Sequence, residues 1–156
     1  MKWVTRAGIR VNRAATAWLI RRFVDPQAEF VFVDPGDVAR LQASEGAIGF
    51  DAPGARYPHD DARHRCSFEA LADEHCPHDG VLQQLARIVH AADFSAEVGQ
   101  VPEAAGLRAI SEGFPLVTRD DFETLQQAGL LYDALYAALA ARHGEQPRAG
   151  LRVEPR

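Results

Sequence analysis

Residues 3–33 read WVTRAGIRVNRAATAWLIRRFVDPQAEFVFV, and three segments inside this stretch decide the fold class. Trp3-Val4-Thr5 is a short run of strand-forming residues. Asn12 stands where a helix N-cap would stand, ahead of a run from Arg13 to Val24. Within that run Ala15, Trp18, Leu19 and Phe23 fall at i, i+3, i+4 and i+8, which is one face of a helix. The helix is expected to stop at Asp25-Pro26, because the residue before a proline is pushed out of the α region. Glu29-Phe30-Val31-Phe32-Val33 is dense in aromatic and β-branched residues and ends at Asp34-Pro35-Gly36, so it reads as a strand followed by a turn.

Working outward, Asp37 to Ser44 reads as a short helix and Ala47-Ile48-Gly49-Phe50-Asp51 as another strand, closed by Ala52-Pro53-Gly54. Ala55-Arg56-Tyr57 is read as a return before His59. From Ser67 onward the pattern is helical. With Ser67 as the cap, Phe68-Glu69-Ala70-Leu71 opens one helix and places Glu69 at its second position. Asp79 caps the next, where Val81, Leu82, Leu85, Ile88, Val89 and Ala92 form an apolar stripe. Pro102 suits the first position of a helix over 103–112, with Gly113 as its stop. Thr118 and Asp121 resemble a capping box for a last helix, loosened at Gly129 and ending near His143. The expected fold is α/β of the α+β kind: a small N-terminal β-sheet packed against a predominantly helical C-terminal two thirds. One domain over residues 1–144 and a mobile tail over 145–156 complete the expectation.

The chain has 156 residues, 47% of them apolar, and a formal net charge of −5. A chain of this length buries about two thirds of its unfolded surface, enough for a core without covalent staples. Mild acidity argues against binding nucleic acid or anionic membranes over the whole surface, since counterion release needs a basic balance. Two cysteines, Cys66 and Cys76, are too few for a secreted disulfide framework and fit a reducing compartment. No apolar run approaches the ~18 residues of a membrane helix. The first 24 residues carry six basic side chains and no acid, as mitochondrial presequences do, but Trp3-Val4 and Trp18-Leu19-Ile20 have a core-facing pattern.

The chemistry concentrates between His59 and His78, which hold four of the six histidines, both cysteines and several carboxylates. Imidazole and carboxylate together replace the hydration shell of a divalent metal without excess charge. A polar surface loop would have the same composition, and no Cys-x-x-Cys pair marks a zinc ribbon. Downstream, His90 and Asp93 lie three apart on one helical face at the edge of the buried stripe. The same pair also suits a helix C-terminus, where imidazolium is favoured. The candidate metal ligands are therefore His59, Glu69, His90 and Asp93, holding iron, manganese or zinc. Arg13 and Arg21 are candidates for an oxyanion, being guanidinium forks near a helix start. Cys66, beside Arg65 and before a helix, is either an activated thiol or a small half-buried residue.

Several stretches resemble one family. Asn12-Arg13 through Trp18-Leu19-Ile20-Arg21-Arg22-Phe23-Val24-Asp25-Pro26, Phe50-Asp51 with Pro53-Gly54, His59, Cys66-Ser67-Phe68-Glu69, Ile88-Val89-His90-Ala91-Ala92-Asp93, Pro102-Glu103-Ala104-Ala105-Gly106-Leu107 and Tyr132-Asp133-Ala134-Leu135-Tyr136 are similar to the C-terminal domain of the chromate-resistance protein ChrB. The resemblance implies a cytoplasmic role in bacterial chromate resistance, a stress response. Chromate or a similar small oxyanion would be the ligand, and a homo-oligomer would be compatible. It implies no membrane insertion and, without the N-terminal region of full-length relatives, no direct nucleic-acid binding. His59, Glu69, His90 and Asp93 fall within matching motifs, and Glu103 matches as a neighbour of the site, as does Cys66. Two readings stay open: a metal-dependent enzyme acting on an oxyanion or redox substrate, and a non-catalytic chromate or metal sensor.

Overall fold

A computed structural model describes residues 1–144. The tail expected over 145–156 lies outside the described residues. The elements run β1 (Lys2–Arg6), α1 (Val11–Leu19), a π-helical turn (Ile20–Val24), β2 (Glu29–Val33), α2 (Asp37–Glu45), β3 (Ile48–Gly49), α3 (Ser67–His75), α4 (Gly80–Asp93), α5 (Pro102–Val117) and α6 (Asp121–Arg142). The sheet is parallel, in the order β2-β1-β3, with Trp3 opposite Phe30 and Ile48. Because β1 is the central strand, Trp3, Val4 and Thr5 are all buried. Side chains alternate across the pleat, so Val4 packs with Val38, Leu41 and Ala52 beneath α2, while Trp3 joins Phe30, Phe50 and α1 in the main core. The α+β arrangement matches the sequence reading.

β3 is only Ile48–Gly49 within the strand expected over 47–51, Phe50 forming a single bridge to Tyr57, and four helix boundaries also differ from expectation, each for a local reason. Asn12 is not the cap of α1; Arg10 holds that position, and Asn12 lies inside the helix with its side chain buried. Its amide donates to Asp51 (2.9 Å), and its carbonyl oxygen accepts from Ser67 Oγ and the Phe68 N–H. Cys66, not Ser67, caps α3, which moves Glu69 to the third position; its carboxylate accepts the Cys66 N–H at 2.8 Å in a capping box. α5 continues through Gly113, which does not take up the left-handed backbone of a helix stop, and even through Pro115. Asp120 rather than Thr118 caps α6, accepting the Glu123 N–H, and the helix is unbroken at Gly129.

α4 is the hub of the helical layer, in contact with α1, α3, α5 and α6, and Val81, Leu82, Leu85 and Val89 are fully buried on it. Its last turn therefore meets the loops that follow β3, and there the polar side chains gather. No helix among the described residues is long and apolar enough to cross a membrane.

Candidate functional site

The chain leaves β3 through Asp51, a non-glycine residue with φ of 48°. That left-handed backbone costs energy for an L-residue and persists only where its surroundings over-determine it. Here Asp51 is 2% exposed and accepts from Asn12 Nδ2 (2.9 Å), Arg13 Nε (2.7 Å) and His59 Nδ1 (2.9 Å). Arg13 is itself fixed by the carbonyls of Ala7 and Gly8. Burial works against the charge on Asp51, but His59, Arg13 and Arg6 outweigh it and hold the carboxyl below its ordinary range. The same hydrogen bond to Asp51, assisted by Asp93, raises the proton affinity of His59.

Asp93, at the end of α4, approaches His59 Nδ1 at 3.3 Å, yet its Oδ2 is buried without a hydrogen-bond partner among the described residues. The contact is electrostatic, because the Nδ1 proton is directed to Asp51. Burial, then repulsion from Asp51, pushes the Asp93 carboxyl up to about 6.

A second group lies beside the first. His90 reaches Glu69 Oε2 through Nδ1 (2.6 Å) and Glu97 Oε2 through Nε2 (2.9 Å). Glu97 also meets His64 Nε2 at 2.9 Å, and His64 Nδ1 meets Asp60 at 3.0 Å. Carboxylate and imidazole thus alternate from Glu69 to Asp60. The Phe94 ring packs against His59, His64 and His90, with centroids 5.3, 4.7 and 4.5 Å away, and forms the wall between the two groups.

The four donors expected to share one sphere are thus brought together as two pairs: His59 with Asp93, and Glu69 with His90. Three sets place one donor atom from each member within 4.8 Å of the others: Asp51, His59 and Asp93; Cys66, Glu69 and His90; and His64, His90 and Glu97. Their chemistry differs. Arg13 and Arg6 stand against Asp51 and oppose a divalent cation there. Cys66 is fully buried, and burial, with Glu69 adding, raises its thiol well above the usual range, so the activated-thiol reading does not fit. Among the described residues the His64, His90 and Glu97 set has no guanidinium paired with it, and it is partly open to solvent.

Arg13 and Arg21 do not meet. Arg13 is bound to Asp51, whereas Arg21 lies over the Phe30 ring on the α6 side of α1. Glu103 pairs with Arg142 at 3.1 Å, away from both groups. Instead, Arg6, Arg10 and Arg13 line a cavity of about 470 Å³ with His59 and Asp93 on its wall. Sequence reasoning missed Glu97, which lies in an irregular segment without periodicity, and Arg6 and Arg10, which no motif marks. His64 and Asp51 sat inside stretches that composition and resemblance had already singled out.

Fold and site together define an α+β domain with a parallel three-stranded sheet and an imidazole–carboxylate cluster where its longest loop meets its central helix. The chain belongs to the ChrB C-terminal domain family, whose model matches residues 3–139. It is 37% identical over 150 residues to Protein ChrB of Cupriavidus metallidurans (strain CH34), covering 94% of this chain and 42% of that protein. The chain therefore spans less than half of that relative. No solved structure gives a significant match.

Proposed function

We propose that this domain binds a divalent transition metal through His64, His90 and Glu97 and presents the neighbouring arginine cavity to an oxyanion, in the service of cytoplasmic chromate resistance. The observation that carries this reading is the clamping of His90 by carboxylates on both ring nitrogens. Glu69, anchored by the Cys66 N–H, accepts from Nδ1 and leaves Nε2 as the ring nitrogen that faces Glu97 and His64. A carboxylate behind a ligating imidazole is the usual means of fixing its tautomer and raising its basicity. Two imidazoles and one carboxylate, with positions left for water, suit iron, manganese or zinc. A bound metal would supply Lewis-acid or redox chemistry. The chain itself supplies the positive cavity wall, from Arg6, Arg10 and Arg13, that draws and orients an anion.

Elemental analysis of untagged protein tests the metal. About one equivalent is expected, and His90→Ala should lose most of it together with a fall in melting temperature, since binding to the native state stabilises by mass action. Less than a tenth of an equivalent in the unmutated chain, with no uptake on titration, overturns the reading. Enzyme and sensor separate by turnover: chromate consumed with a reductant above the metal-only rate marks an enzyme, and saturable binding alone marks a sensor.

A further inference from the structure

The sequence singled out Arg21, and neither polar group uses it. Arg21 forms no ion pair with any described residue, and its guanidinium lies 5.0 Å from the centre of the Phe30 ring. It stands on the π-helical turn, where the Asp25 N–H reaches back five residues to the Ile20 carbonyl at 2.7 Å. Such turns are rare and occur frequently at functional sites, because one extra residue in the turn re-aims the side chains it carries.

Arg21 lines a groove of about 370 Å³ between α1 and α6, with Trp18, Phe30 and Leu125 at its base and Leu130 at its rim. Asp133 lies at one end, but its charge is spent: Trp18 Nε1 donates to it at 2.7 Å, and Arg22 binds it through Nε (3.0 Å) and Nη2. Arg21 is the charge left over. Gly129 also lines the groove, and a Cβ added there would meet no atom within 4 Å. The volume lies within the ~300–1,000 Å³ range of small-molecule pockets.

We propose that this groove binds a small organic monoanion, a carboxylate on an aromatic or aliphatic body, with the carboxylate on the Arg21 fork and the body against Trp18, Leu125 and Leu130. An apolar base excludes a strongly hydrated inorganic anion, and a single unspent guanidinium matches a single charge. The site is separate from the metal cluster and the Arg6 cavity, so neither reading depends on the other.

The test uses the whole chain with its metal content unaltered. Benzoate, phenylacetate, hexanoate, neutral benzamide and chromate are titrated while the Trp18 indole N–H resonance is followed. At least one carboxylate should saturate, with benzamide about tenfold weaker or more. Arg21→Gln should weaken the carboxylate at least about tenfold. Gly129→Leu, which fills open space, should abolish binding without lowering the melting temperature. No saturable shift from any of the three carboxylates up to about 10 mM overturns the proposal. So does equal binding by Arg21→Gln, or a response to chromate in place of the carboxylates. A concentration-dependent dimer that Gly129→Leu dissolves would also overturn it, by giving the groove to a second copy of the chain.

Discussion

Asp51 and Asp93 share one histidine and have opposite electrostatic fates. Asp51 is surrounded by donors that favour its anion; Asp93 has burial and a neighbouring carboxylate against it, and its proton affinity rises to about 6. A carboxyl whose folded value exceeds its ordinary 3.8 costs stability once it ionises. That cost is absent below about pH 4, grows between about pH 4 and 6, where the unfolded chain has lost this proton and the folded one keeps it, and is complete above about 6. The rise from 3.8 to about 6 corresponds to roughly 3 kcal/mol as an upper bound, and water at the partly open rim reduces it to about 1–2 kcal/mol. Asp93→Asn should therefore stabilise the metal-free chain at pH 8 and leave it nearly unchanged at pH 4, read from urea midpoints at the two values. An equal effect at both would show that the charge is not the cause. None of this was legible from residue types, since the acid that repels Asp93 lies 42 positions earlier, so only the completed fold brings the two carboxylates together.

Helices and strands were legible where their signal is local. Trp18, Leu19 and Phe23 on one face announced α1, and the stripe from Val81 to Ala92 announced α4, because apolar spacing is written in consecutive residues. Caps were less so. Asn12 has the chemistry of a cap but bonds across 39 residues to Asp51, and a one-residue shift from Ser67 to Cys66 turned Glu69 into the acid of a capping box. That shift matters to the site, because the capping bond fixes the carboxylate that holds His90. Asp79 is the cap that sequence and structure agree on: it accepts the Leu82 N–H at 2.9 Å and the Tyr136 hydroxyl at 3.1 Å. Asp79→Ala should cost about 1–2 kcal/mol in chemical denaturation, the usual range for a lost cap. Asp79→Asn should recover most of that, since its side-chain oxygen still accepts the N–H. A loss below a few tenths of a kcal/mol would mean that packing alone holds the start of α4.

Across the molecule, stability is concentrated around α4, whose inward face touches four other helices. Amides of Leu82, Leu85 and Val89 should exchange with deuterium only through global unfolding, whereas those of Leu116 and Val117, 85% and 81% exposed near the end of α5, should exchange first. Exchange at comparable rates would remove α4 as the hub. The opening loop is held differently. The N–H groups of Gly8 and Ile9 donate to the Asp121 carboxylate at 2.9 and 2.8 Å, and the Tyr132 hydroxyl donates to the Val11 carbonyl at 3.0 Å. A ribosome making this chain at roughly 5–20 residues per second delivers Arg6, Arg10 and Arg13 many seconds before Asp121 emerges. Asp51, which holds Arg13 and Arg6, is made long before that point, so the side chains of the basic loop can be aimed early while its backbone at Gly8 and Ile9 gains the Asp121 clamp only when the last helix is made.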